Sequence, residues 1–287
     1  MDRGIRSQAI DLYDRFTHEG MERRAFMARM VALAGSVAAA EALIQSIAAS
    51  PAAAAIVPAD DPRLTVRTQK LAGDYTAYVA EPVTKSLKAS VLVIHENRGL
   101  NDHIRDIARR LGIAGYKAVA PDLLSPSGGT PADEDKAREA IGKLDLEAAV
   151  STGVAMLGEL AGASLGGKVG AVGFCWGGGY VDRLAVAAGT KLAAGVSYYG
   201  PAPDPSEAAK VSAPLMFHLA GLDKRVGATA WPFASALGDL GKDVAVFDYP
   251  GVNHAFNNDT SAERYDKAAA DLAWARTLRF FGLHLSP

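Results

Sequence analysis

Gly173-Phe174-Cys175-Trp176-Gly177-Gly178 places a thiol between closely spaced glycines, directly after the apolar run 168–172. A nucleophile presented on a sharp strand-to-helix turn needs that spacing, because a Cβ at position 173 or 177 would run into neighbouring backbone. The turn aims Cys175 at the positive end of the following helix, which favours the thiolate, the nucleophilic form of the side chain. Cys175 is also the only cysteine in 287 residues, so there is no internal disulfide, and a cysteine-based zinc or iron–sulfur site is not expected. A lone cysteine is otherwise a small buried hydrophobe; the flanking glycines argue for the nucleophile.

Two partners follow in chain order. Asp223 lies in Ala220-Gly221-Leu222-Asp223 and His254 in Pro250-Gly251-Val252-Asn253-His254-Ala255-Phe256, each just past an apolar strand-like run. His254 would take the thiol proton and later deliver one to the leaving oxygen, while Asp223 holds the imidazole in the right tautomer. Asp223 could instead be a helix cap. His254 is preferred over His218, which sits inside an apolar run. A second acid, Glu96 of His95-Glu96-Asn97-Arg98-Gly99, ends the apolar strand 90–94 and is placed to control the ionisation of Cys175; His95 reads as a packing residue. The backbone N–H groups of Trp176 and Asn97 are the natural oxyanion donors. Arg98, Tyr198, Tyr199 and Phe256 are candidate substrate contacts. No metal site and no organic cofactor is expected.

These groups all need one scaffold. A hairpin over 64–71 and 75–80, strands over 90–94, 116–120, 168–172, 192–198, 214–219 and 244–249, and helices over 103–114, 132–160 (broken near 142–145), 228–240 and 261–281 alternate along the chain. That alternation predicts an α/β fold, a mostly parallel central sheet flanked by helices on both faces. Right-handed crossovers then bring the strand C-termini, with Glu96, Cys175, Asp223 and His254, to one edge. The Gly- and Pro-rich loop 125–131 is either a cap over that edge or an exposed turn. A net charge of −2 gives no broad basic field for nucleic acid.

Residues 1–57 differ from the rest. Ile5, Ala9, Leu12, Tyr13 and Phe16 recur at helical spacing. Arg23-Arg24-Ala25-Phe26-Met27 then precedes an alanine-rich stretch. This resembles a twin-arginine export signal, read by export machinery through Arg23 and Arg24, with a periplasmic destination. Ala48, Ala49 and Ala52 to Ala55 offer a cleavage site. Glu22 before the arginines departs from that pattern. The uninterrupted apolar run 30–40 covers 11 residues, against roughly 20 for a bilayer span, so no stable membrane span is expected. The alternative is an uncleaved helix on a cytoplasmic protein. The hydrolytic domain is expected over 58–287.

His95-Glu96, Pro121-Asp122-Leu123, the Cys175 elbow, Tyr198-Tyr199-Gly200, Gly221-Leu222-Asp223 and His254-Ala255-Phe256 together resemble the dienelactone hydrolase (carboxymethylenebutenolidase) family. The spacings of 48 residues from Cys175 to Asp223 and 31 from Asp223 to His254 match its register. The resemblance covers about residues 64–284. It implies an α/β-hydrolase fold as a single domain without a large lid. It also implies a Cys175–Asp223–His254 triad with Glu96 controlling the thiol, an acyl-thioester intermediate, and a small ester or lactone substrate. The family's two carboxylate-holding arginines are missing: their regions read Leu124-Ser125-Pro126-Ser127 and Asn257-Asn258-Asp259. Hydrolysis of an ester or lactone other than dienelactone is therefore expected. The competing readings are a class I amidotransferase-like thiol enzyme and a binding protein on a hydrolase fold.

Overall fold

The computed structural model describes residues 3–48, 55–84, 87–162 and 167–286. An N-terminal run of three helices, α1 (Arg3–His18), α2 (Arg23–Ala34) and α3 (Val37–Ile47), precedes the sheet. The hairpin β1 (Leu64–Leu71) and β2 (Tyr75–Pro82) opens the body. There follow β3 (Ser90–Ile94), α4 (Asp102–Ile113), β4 (Lys117–Pro121), α5 (Glu134–Gly142), α6 (Leu146–Gly162), β5 (Val169–Phe174) and α7 (Trp176–Ala188). The chain closes with β6 (Ala194–Tyr198), β7 (Leu215–Ala220), α8 (Lys224–Asp239), β8 (Val244–Tyr249) and α9 (Lys267–His284). The eight strands form one sheet in the order β1-β2-β4-β3-β5-β6-β7-β8. Its first two pairings are antiparallel, and every pairing from β4 to β8 is parallel.

The two cores follow from side-chain alternation along the strands. Leu92, Ile94, Val119, Val169 and Ala171 face α6, α7 and α8. Val91, Val93, Ala118, Val172 and Val196 face the opposite way, against α4 and α9. Central strands buried on both faces read as continuous apolar runs, which is why β3 and β5 were legible.

Two helix starts differ from the pattern. α8 begins four residues early because the Asp223 side chain accepts a hydrogen bond from Val226 N–H at 3.0 Å and caps it. α9 begins at Lys267 under an Asp266 cap. Ser261, expected inside that helix, instead donates to the carbonyl of Ile47 at 2.5 Å.

α1 to α3 share an apolar cluster of their own: Ala9, Ile10, Tyr13, Phe16, Phe26, Met30, Ala40, Leu43 and Ile47. The amphipathic reading of the first helix is borne out there. The segment also docks on the body. Glu263 N–H donates to Ser46 at 3.1 Å, Arg264 donates to Ile47 at 3.1 Å, Arg6 pairs with Glu263 and Arg23 with Asp135. Downstream, Asp106 and Arg109 of α4 grip the N–H and carbonyl of Val57. The candidate cleavage residues Ala49 and Ala52 to Ala54 lie outside the described residues. No single described helix is long and apolar enough to cross a membrane.

The tightest backbone approach lies beneath the elbow. A Cβ on Gly173 would sit 1.9 Å from the carbonyl oxygen of Gly177, and one on Gly177 would sit 2.4 Å from that of His95. Backbone cannot yield to such contacts without moving β5 from α7 or α7 from β3. Gly173→Ala should therefore lower stability by about 3 kcal/mol or more. Gly158→Ala, in α6 with open space around it, should raise stability by roughly 0.5–1 kcal/mol. Urea unfolding of the two variants checks the contrast.

Candidate active site

Cys175 follows β5 directly and caps α7 with φ 55° and ψ −119°. Positive φ is costly for a residue with a side chain and is retained where the surroundings over-determine it. Here they do. Cys175 N–H donates to the Tyr198 carbonyl at 3.0 Å, and its own carbonyl accepts from Gly178 and Gly179 at 3.0 and 3.2 Å. The thiol is thereby held at the sheet edge. The N–H of Trp176, first in α7, has no intrahelical acceptor.

Asp223 and His254 come from the loops after β7 and β8. His254 Nδ1 lies 2.5 Å from Asp223 Oδ2, and both side chains are buried. A carboxylate only accepts, so Nδ1 carries the proton and Nε2 faces inward. His254 Nε2 lies within 4.8 Å of Cys175 Sγ and has no hydrogen-bond partner among the described residues. Burial opposes charge on His254, but the Cys175 thiolate and the Asp223 carboxylate outweigh it and push the imidazole up to about 10. Burial would raise Asp223; His254 and Arg225 override it and hold the carboxyl well below the usual carboxylate range. Arg225, 3.7 Å from Asp223, belongs to that pair. Asp223 is thus both helix cap and partner of the histidine.

Glu96, two residues past β3, lines the same cavity as Cys175, and it is buried. Oε2 accepts from Asn258 Nδ2 at 2.9 Å, while Oε1 is buried with no partner among the described residues. Asn258 stands in a stretch where an arginine was sought; its work here is to hold Glu96. His95 is fully buried. Its Nδ1 donates to the Glu96 carbonyl at 2.7 Å, its Nε2 accepts from Leu123 N–H at 3.3 Å, and its ring stacks on Trp176. It fixes the strand end, as expected. His218 is buried between Tyr249 and Thr277, and burial and Arg276 push it down to about 3.

The cavity at Cys175 is lined by Tyr13, Thr17, His18, Glu96, Asn97, Arg98, His254, Ala255 and Arg264. Three of the aromatic or apolar contacts expected there are absent from that lining. Tyr198 is core, with its phenol on Thr277 at 2.7 Å. Tyr199 packs behind the imidazole at 5.0 Å between ring centres, and Phe256 packs behind Tyr199. Large aromatics at strand ends bury more area against the sheet than they would in the cavity. Arg98 does reach the cavity, but it is held by Tyr13 Oη at 3.0 Å and the Glu134 carbonyl at 2.9 Å. The 125–131 loop is a surface turn clamped by Asp122, whose carboxylate accepts from Leu124, Thr130 N–H and the Thr130 hydroxyl.

The cover comes from α1 instead. The end of α1 brings His18 Nε2 to 3.2 Å from Cys175 Sγ, and Asn97 Nδ2 donates to Thr17 at 3.3 Å. Arg264, 3.5 Å from Asp14, sits under Tyr13. With α1 in place the cavity is about 20 Å³, roughly the room one water needs. Tyr13 and Arg98 separate it from a cleft of about 540 Å³ between the N-terminal helices and α5. His18, Asn258 and Arg264 carried no local signal, because their place depends on how distant segments pack.

A model of the Dienelactone hydrolase family matches residues 75–285. A relative in Saccharolobus solfataricus named "Putative carboxymethylenebutenolidase" is 30% identical over 241 residues, covering 71% of this chain and 92% of its own. One with the same name in Escherichia coli K12 is 31% identical over 254 residues, covering 82% and 93%. Among solved structures, a dienelactone hydrolase-like promiscuous phosphotriesterase from metagenomic libraries superposes with a TM-score of 0.67 at 22% identity, over 78% of this chain and 100% of that one.

His254 ties the site to pH. Its folded value near 10 exceeds the ordinary 6.5. The stabilisation it confers is therefore full below about 6.5 and is lost as pH rises through about 10. In Cys175→Ala the largest charge favouring the imidazolium is gone. The His254 midpoint, followed by NMR, should fall toward 6.5 from a wild-type value well above it; an unchanged midpoint would mean the thiolate plays no part.

Proposed function

We propose, given that this chain belongs to the dienelactone hydrolase family, that it hydrolyses small carboxylic esters or lactones through Cys175 and an acyl-thioester intermediate. The observation that carries the reading is the meeting, in one cavity, of an elbow thiol and an imidazole whose tautomer is fixed by a carboxylate behind it. Sγ, ionised beforehand by transfer of its proton to His254 Nε2, attacks the carbonyl carbon. The oxyanion is met by the N–H groups of Trp176 and Asn97. Collapse expels the alkoxide, which takes the proton from His254. Water then enters, gives a proton to His254 and cleaves the thioester. Glu96, held by Asn258 with one oxygen free, acts on the thiol's ionisation before attack. With Asn257, Asn258 and Asp259 after the catalytic loop and no guanidinium at 124–127, an ester or lactone other than dienelactone is the expected substrate.

The N-terminal segment enters this reading as a removable cover. An acyl group has no room in a 20 Å³ cavity, so α1 must leave for substrate to bind. Arg24 is exposed and Arg23 lies on the surface against Asp135; lifting α2 presents the pair to twin-arginine export machinery. Removal of about the first 55 residues on the way to the periplasm then opens the site.

On a panel of neutral and acidic p-nitrophenyl esters and lactones, Cys175→Ala should abolish turnover while unfolding within about 1 kcal/mol of wild type. Cys175→Ser should retain weak activity, and Asp223→Asn should lower kcat by about 10³-fold or more. Retained turnover in Cys175→Ala ends the reading. The form beginning at residue 56 should exceed the full chain in kcat/KM; equal values would show that α1 is no cover.

A further inference from the structure

Three ligand-type atoms from distant parts of the chain meet at the elbow. His18 Nε2, Cys175 Sγ and His254 Nε2 lie within 4.8 Å of one another, with His18 at 3.2 Å from the sulfur. Both imidazoles are fixed by their far nitrogen. His254 Nδ1 is held by Asp223. His18 Nδ1 lies 2.9 Å from the carbonyl of Asp14 and 2.9 Å from the Thr17 hydroxyl, whose own proton has the carbonyls of Tyr13 and Asp14 as acceptors; with the Nδ1 proton given to the Asp14 carbonyl, His18 presents a bare Nε2. Hydrogen bonds of this kind to carboxylate and backbone carbonyl are what orient metal-binding histidines. His254 Nε2, on a side chain 2% exposed, has no partner and faces the shared space. The cavity beside the three ligand atoms has room for one water.

We propose that His18, Cys175 and His254 form a site for a thiophilic cation of the zinc type, with one water as fourth ligand, and that the bound ion ties α1 to the catalytic body. Two imidazoles and a thiolate suit zinc and exclude magnesium and calcium, which take oxygen ligands. Zinc bonds of about 2.0–2.3 Å set tetrahedral ligands roughly 3.3–3.6 Å apart, so the widest of the three spacings closes by about 1 Å through side-chain rotation. Glu96 Oε1, unpartnered on the cavity wall, accepts from the zinc-bound water. Binding releases one proton, whichever of Sγ and His254 Nε2 held it, and forms a sulfur–metal bond on the pair the nucleophile needs. The ion therefore silences the thiol and holds the cover shut together. The inference rests on these ligand positions and not on the substrate reading, and its test does not require turnover.

Cobalt(II) titrated into the metal-free full chain should bind one ion per chain and give a near-ultraviolet thiolate-to-cobalt absorption. Cys175→Ala should lose that band. His18→Gln should weaken binding at least about tenfold, while His18→Cys keeps it. X-ray absorption of the zinc-loaded wild type, which needs no variant, should count two imidazoles and one sulfur. Failure to bind stoichiometrically, wild-type affinity in His18→Gln, or a single imidazole on the zinc would each overturn the proposal.

Discussion

The approach of Gly173 to Gly177, and of Gly177 to the end of β3, is the constraint on which the rest of the structure depends. It presses β5, α7 and β3 together with no side chain between them, and it leaves Cys175 nowhere to go but φ 55°. That one forced conformation lifts the sulfur out of the sheet and opens the first turn of α7 toward whatever bonds to it. The same contact carries the ends of β3 and β5 to one level, which sets Glu96 beside the thiol. Parallel pairing of β5 through β8 then carries Asp223 and His254 to the same rim.

At that rim the electrostatics are those of a tightly packed charge chain. Asp223, capping α8 and facing Arg225, is held ionised, and it in turn raises His254. The sulfur, however, is turned to His18 rather than to His254. The full chain therefore describes a site that is assembled but covered. Its cations are occupied from within: Arg98 by Tyr13, and Arg264 by Asp14 and Ile47. The N-terminal helices have an apolar cluster of their own and meet the body through hydrogen bonds, ion pairs and the stacking of Arg138 on Phe16 and Arg264 on Tyr13.

The hydrolase body was largely legible from sequence because its signals are local. A run buried on both faces announces a central strand, glycines two residues either side of a cysteine announce the turn, and a carboxylate or histidine just past a strand announces the rim. Cys175, Asp223, His254 and Glu96 each carry such a signal. Tyr198, Tyr199 and Phe256 were placed in the cavity on aromatic character alone, which cannot tell a pocket wall from the packing behind it. His18 stands 157 positions before Cys175, and Arg264 gains its meaning only from Tyr13, Asp14 and Ile47. Nothing in their local spacing could announce contacts made by docking one folded segment on another.

The most direct measurement is whole-protein mass spectrometry of the form beginning at residue 56, quenched in acid during turnover of an activated ester. The account predicts one acyl group per chain, mapped by digestion to Cys175 and released by hydroxylamine as a thioester would be. Product accumulating with no adduct on Cys175, or with the acyl group on another residue, would contradict it.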